Sequence, residues 1–193
     1  MLGYHGYFDY GPMVLPDGRQ TLMGMGIFSR YALDNERKVV LQPGILSDGK
    51  VSQDERFYLE ADVKLPGGKV RVGTTHLPFH PMFRTTDRKM AMAKLIRRRA
   101  VEAGPRYVLA GDFNCTPRSK AAQALRQGLR NAGPALDVKT WTTRPFMIGR
   151  HEYDRLAWRL DYVLHGVGLR PVAAEVARTE LSDHLPIAVE FFS

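Results

Sequence analysis

Between Phe57 and Leu77 the sequence alternates with a period of two, and this stretch narrows the possible architectures more than any other. Phe57, Leu59, Ala61, Val63 and Leu65 are apolar, while Tyr58, Glu60, Asp62 and Lys64 between them are polar. Neighbouring side chains on a strand point to opposite faces, so the pattern predicts a strand with one buried face and one wet face. Pro66-Gly67-Gly68-Lys69 supplies turn residues, and Val70 to Leu77 alternates again, which makes the pair a hairpin. Tyr107-Val108-Leu109-Ala110 is instead continuously apolar, as expected of a central strand covered on both faces, and it ends at Gly111-Asp112. Gly24 to Ser29, the alternating Trp158, Leu160, Tyr162 and Leu164, and Leu185 to Phe192 read as further strands.

Helical spacing is confined to two stretches. Thr86 to Ala103 carries Met92, Leu95, Ile96 and Ala100 on one face and stops at Gly104-Pro105. A second helix is predicted with Thr116 as N-cap, Pro117 in the first position, a stripe of Ala122, Leu125 and Leu129, and Gly133 at its end. Strands in hairpins with helices packed outside them give an α/β (α+β) chain with mixed sheets.

The chain has 193 residues, expected as a single domain over 1–193, and 44% of them are apolar, enough for a sizeable core. The only cysteine, Cys115, excludes an internal disulfide framework. No apolar run approaches the ~20 residues needed to span a bilayer, and the first residues lack the layout of a signal peptide. The expectation is a reducing, cytoplasmic setting without membrane insertion. A formal charge of +8 favours polyanionic company, whether nucleic acid, a phosphorylated small molecule or an anionic lipid surface.

Polar residues gather where the strands are predicted to end: Thr74-Thr75-His76-Leu77, Gly111-Asp112-Phe113-Asn114 and Ser182-Asp183-His184-Leu185-Pro186. On an extended strand Asp112 and Asn114 would face the same way, toward one ion or water, with Phe113 turned inward. Asp161 lies inside the apolar run Leu160-Asp161-Tyr162-Val163 and needs a partner, for which an imidazolium is the natural choice. Taken singly, each string has a local explanation: an Asp-x-Asn turn bonding its own backbone, a structural histidine, an Asx turn at Ser182-Asp183.

Together with Gly26-Ile27-Phe28-Ser29-Arg30, these strings resemble the endonuclease/exonuclease/phosphatase (DNase-I-like) superfamily, from about Gly24 to Phe192. The resemblance implies a two-sheet sandwich flanked by helices and a metal-dependent phosphoesterase acting on a phosphate ester, as nuclease or phosphatase. It further implies that Asp112 and Asn114 hold the attacking water and help at the metal, and that Asp183 is a carboxylate on the metal side. His184 would be the catalytic imidazole oriented by Asp161, and His76 would bind a phosphoryl oxygen. The implied cofactor is magnesium, with manganese as the alternative, and the general base is either His184 or Asp112. Family members also begin with a strand-helix-strand unit ending in a Gln-Glu pair whose Glu is the principal magnesium ligand. Nothing before Gly24 matches it, since the early acids are Asp9 and Asp17 in aromatic and turn-like surroundings. The chain is therefore expected to begin after both strands, with Met1 an internal methionine, a mis-assigned start or a fragment boundary.

Trp141, Arg144, Phe146, Arg150, His151, Tyr153 and Arg155 form an aromatic and basic stretch without strand or helix period, suited to stacking bases and gripping phosphates or to packing a loop down. Arg84, Arg88 and Lys89 either extend a phosphate-facing surface or form a solvated helix face, and Arg97-Arg98-Arg99 reads as such a face. Dinuclear phosphatases and serine hydrolases fit poorly: Cys115 and Ser182 stand where the former need Asp and Asn, and no Gly-x-Ser-x-Gly elbow exists. The competing reading is a non-catalytic remnant that binds phosphorylated ligand or nucleic acid. Substrate and oligomeric state stay open.

Overall fold

The computed structural model describes residues 3–15, 18–48 and 50–192, so Asp17 lies outside the described residues. The chain divides into two compact units, residues 1–76 and 77–193.

In the first unit, β1 (His5–Val14) and β2 (Gln20–Ser29) form an antiparallel ribbon, in register from His5 opposite Ser29 to Val14 opposite Gln20. Strands β3 (Leu33–Gln42), β6 (Arg56–Leu65) and β7 (Gly68–Thr75) form an antiparallel sheet with β6 in the middle. Between β3 and β6 lies a short hairpin of β4 (Ile45–Ser47) and β5 (Lys50–Gln53). The predicted β6–β7 hairpin is present, closed by Pro66 and Gly67. Gly68 follows at φ +105°, a conformation that favours glycine. Phe57, Leu59 and Ala61 face Ile27 of the ribbon, with Tyr7, Met25, Leu33 and Val72 around them.

The other face of β6 is not wet as the alternation predicts. Tyr58, Glu60 and Asp62 are all buried. What makes this tolerable is cross-strand charge pairing: Asp62 stands opposite Arg71 on β7, whose guanidinium donates to it. Asn35 and Lys69 add donors at 2.8 and 3.0 Å, and Arg71 also lies 3.4 Å from Glu60. Asp9, one of the two early acids, is taken up by Lys38 at 3.1 Å.

The second unit opens with a 3₁₀ turn (Pro81–Phe83) and α1 (Asp87–Glu102). Thr86 caps α1, its hydroxyl accepting from the Lys89 amide at 3.2 Å. Strand β8 (Tyr107–Asp112) then leads to α2 (Lys120–Arg126). Here the expected boundaries are corrected. Ser119, not Thr116, is the N-cap, because Thr116 and Pro117 form a preceding turn closed by Ser119 N–H on the Thr116 carbonyl. The helix ends at Arg126, before Gly128 at φ +85°, and does not reach Gly133.

Strand β12 (Asp161–His165) lies between β8 and β9 (Arg130–Asn131), antiparallel to both. The expected strand from Trp158 thus begins three residues later; Trp158 makes only an isolated bridge to Trp141. The aperiodic stretch is partly ordered as a hairpin of β10 (Phe146–Ile148) and β11 (His151–Tyr153). A last pair, β13 (Arg170–Val176) and β14 (Ile187–Phe192), carries a bulge at Pro171–Ala173. Phe83, Trp141, Tyr153 and Leu160 form an aromatic-rich core, and Phe113 stacks on Tyr162 with centroids 5.0 Å apart. No helix among the described residues is long and apolar enough to cross a membrane.

Candidate active site

The site is built where β8 and β12 end side by side. Their register sets Asp161 directly opposite Asp112, and Phe113 is anchored in the core, its amide bonded to the Leu160 carbonyl at 2.9 Å. His184 arrives from the loop before β14, shaped by a turn in which its amide donates to Ser182 Oγ at 3.1 Å. The His184 Nδ1 lies 2.9 and 3.1 Å from the two Asp161 oxygens. On the ring's other side, Nε2 is 3.9 Å from Asp112 Oδ2 and 4.0 Å from Asp183 Oδ2. One imidazole therefore touches Asp161 and faces two further carboxylates. Asp112, Asp161 and His184 line a cleft of about 510 Å³ whose walls also include Leu181, Leu185 and Ile187.

Asp112 and Asn114 do not reach side by side from one strand face. The chain leaves the extended conformation at Asn114, φ +45°, and its amide caps Asp112 Oδ1 at 2.7 Å. The local turn wins because the Asn114 side chain has another use: Nδ2 donates to the Leu77 carbonyl at 2.9 Å, and the residue is buried. Lys89 is corrected too. It lies neither on a phosphate-facing surface nor on a solvated face, but is fully buried, with Nζ donating to the Asn114 carbonyl at 2.8 Å. Arg84 and Arg88 are exposed, and Arg98 pairs loosely with Glu102 at 3.9 Å.

Asp183 is the most open member, with 64% of its side chain exposed; its Oδ2 accepts the Trp141 indole N–H at 3.1 Å. Trp141 is itself buried, as the loop-packing reading expects, whereas Phe146 stays exposed with its ring edge-on to Trp141, centroids 6.1 Å apart. His76 belongs to the first unit, where its Nδ1 lies 3.2 Å from Met23 Sδ beside Arg56.

The electrostatics follow from burial and proximity. Burial, reinforced by the charge of Asp161, pushes the Asp112 carboxyl up to about 7 against the opposing pull of His184. Burial alone would lower the His184 pKa, but its hydrogen bond to Asp161 and the charges of Asp161, Asp112 and Asp183 outweigh this and raise it to about 9. Near neutrality the imidazole is thus mostly a cation among acids.

Among the described residues, no group of three or more His, Cys, Asp or Glu side chains is arranged to hold a metal by itself. Magnesium asks for less, commonly one or two carboxylates with water and substrate oxygens completing its shell. Asp183, open to solvent, and Asp112 each lie about 4 Å from the same ring nitrogen, His184 Nε2, at 4.0 and 3.9 Å.

Sequence reasoning missed Thr140, which links Asp161 to the His184 loop through its backbone and hydroxyl. No periodicity marks it. Lys89, by contrast, had a signal, since it falls on the helical stripe with Met92, Ala93, Ile96 and Ala100.

Solved structures with the same architecture include the mannosyl-6-phosphatase Bt3783 of Bacteroides thetaiotaomicron, 19% identical, with a TM-score of 0.66 over 100% of this chain and 78% of that one. The human Nocturnin catalytic domain with bound sulfate is 18% identical, TM-score 0.68, over 99% and 73%. D. rerio TDP2 complexed with single-strand DNA product is 17% identical, TM-score 0.66, over 100% and 78%. These likenesses establish a DNase-I-like α/β fold. A search of curated proteins finds no match. The model of the Endonuclease/Exonuclease/phosphatase family matches residues 1–184, nearly the whole sequence, and the chain belongs to that family.

Proposed function

We propose that this protein is a phosphoesterase that hydrolyses a phosphate ester by in-line attack of water, with Asp112, Asp161 and His184 as its working groups. The observation that carries the reading is the line Asp161–His184–Asp112, with Nδ1 at 2.9 Å and Nε2 at 3.9 Å from the two carboxylates. A phosphoryl group under attack concentrates negative charge on its oxygens, so catalysis needs positive charge and donors aimed there. His184, raised to about 9 and tied to Asp161, supplies a cationic N–H at Nε2 toward the cleft. Asp112, raised to about 7, sits where a general base works best, near the ambient pH, and takes the proton of the attacking water. The electrostatics therefore favour Asp112 over His184 as base.

Asp183 would hold a magnesium ion, with water and substrate oxygens completing its shell; when bound, the ion neutralises charge on the phosphate and orients it. Asn114 contributes from below, its amide fixing the Asp112 carboxylate. The relatives described above carry names pointing to a sugar phosphatase and to a complex with DNA product, and the net charge of +8 suits either a phosphorylated small molecule or nucleic acid.

The test is hydrolysis of a panel of phosphodiesters and phosphomonoesters with magnesium or manganese. His184→Ala is expected to lose at least about 10²-fold in turnover while remaining folded. Unchanged turnover in that variant removes His184 from the mechanism. A second reading has one observation in its favour, the thin set of metal donors: the chain then binds phosphorylated ligands or nucleic acid without cleaving them. Salt-sensitive binding without EDTA-sensitive turnover would decide for it.

A further inference from the structure

Thr140, Trp141, Thr142 and Thr143 are all buried, although three of the four are polar and none lies in a regular strand or helix. Buried polar groups need partners, and here the partners lie on both sides of the Asp161–His184 contact. Toward Asp161, the Thr140 hydroxyl oxygen accepts the Leu160 and Asp161 amides at 3.1 and 3.3 Å, and the Thr140 amide donates to the Trp158 carbonyl at 2.9 Å. Toward His184, the Thr140 carbonyl accepts the Leu185 amide at 2.8 Å. Thr143 extends the same seam, its amide on the Asp183 carbonyl at 3.0 Å and its hydroxyl on the Ser182 carbonyl at 2.8 Å.

The hydroxyl oxygen and the carbonyl of Thr140 thus bond to residues that are, or adjoin, members of the pair. Asp161 is gripped at its own amide, and His184 through the next residue in the chain. We infer that Thr140 is a positioning residue: its hydroxyl and carbonyl together fix the separation of Asp161 and His184 and so the direction of the imidazole. This rests on the reading of those two residues as the working pair. Misplacing a catalytic group by about 1 Å can cost on the order of 10²-fold in rate without weakening substrate binding, so a positioning role predicts loss in kcat with KM preserved. The hydroxyl is the informative part, because valine matches threonine in shape but cannot accept the two amides.

Wild type, Thr140→Val and Thr140→Ser are compared on bis(4-nitrophenyl) phosphate with magnesium, well below the melting temperature of each. Thr140→Val is expected to lower kcat about tenfold or more with KM within about twofold, and Thr140→Ser to stay within about threefold of wild type. The inference is overturned if Thr140→Val keeps kcat, if only KM changes, or if serine fails to rescue. Should the valine variant not fold, Thr140→Cys, with a weak acceptor of similar size, takes its place under the same expectations. The proton spectrum gives a readout independent of turnover: the His184 Nδ1–H resonance shifts in the valine variant and stays in place in the serine variant. If the wild type shows no turnover, the phosphoesterase reading fails, and the resonance alone decides the positioning role; an unmoved resonance in Thr140→Val ends it.

Discussion

Asp112 and Asp161 stand directly opposite one another across β8 and β12, two carboxylates where cross-strand pairing normally avoids like charge. His184 bridges them, and the arrangement makes stability depend on pH with a definite sign. Asp112 is raised to about 7 by burial and then by Asp161. An acid with a higher pKa folded than unfolded binds its proton more tightly in the fold, so its contribution is complete below about 4 and is lost as pH rises through about 7. Asp112→Asn removes that loss. In metal-free buffer the variant should melt close to wild type near pH 4 and several degrees higher at pH 8, on the order of a few kcal/mol. An equal difference at both pH values contradicts the assignment.

The His184 cation depends on Asp161. Burial works against the charge, and the bond to Asp161 at 2.9 Å is the first of the contributions that overcome it. Asp161→Asn should therefore bring the His184 pKa down from about 9 to about 6.5 or below, read from the ring C–H resonances in an NMR titration. A titration midpoint that stays near its wild-type position shows that Asp112 and Asp183 suffice without Asp161.

Activity should follow both groups. With Asp112 needed ionised and His184 needed protonated, kcat/KM rises as Asp112 ionises and falls through about pH 9. In Asp161→Asn the falling limb moves to lower pH and the profile narrows or collapses. A falling limb unmoved by that substitution means that His184 is not the acid being titrated.

Lys89 holds the turn on which Asp112 depends. Its ammonium reaches the Asn114 carbonyl at 2.8 Å from a fully buried position, and Asn114 in turn caps Asp112. Lys89→Met fills similar space but leaves the carbonyl without that donor. The expected cost is about 1–3 kcal/mol in urea unfolding, accompanied by lower turnover. A variant as stable and as active as wild type shows that the turn needs no support from α1.

Much of this was legible in the sequence because it follows from local periodicity. The β6–β7 hairpin, the helix stopped by Gly104 and Pro105, and the need of Asp161 for a cationic partner all come from neighbours in the chain. What was not legible depends on distant carbonyls. Asn114 turns out of the strand because Leu77 offers its amide a partner 37 residues away, and Thr140 is buried because loops far along the chain use each of its polar groups. The buried polar face of β6 was hidden for a similar reason. Alternation marks Glu60 and Asp62 as wet, and only the register with β7 reveals Arg71 opposite Asp62.

That pairing yields a test far from the proposed chemistry. Asp62 is buried, and Arg71, ahead of Asn35 and Lys69, holds its carboxyl far below the usual range. A depressed acid contributes stability that is present above about pH 4 and lost as pH falls. Arg71→Met strands the carboxylate with its weaker partners, and removing one side of a buried pair typically costs about 3–5 kcal/mol. Because Lys69 remains at 3.0 Å, the lower end is expected at pH 7, narrowing as Asp62 becomes protonated in acid. Replacing both charges, Arg71→Met with Asp62→Leu, should cost less than the single change, since the Asp62 carboxylate is then no longer left buried without Arg71. Chemical denaturation of the three proteins at pH 7 decides the matter: a double variant less stable than Arg71→Met alone would show that the pair, and not the stranded charge, is what the sheet requires.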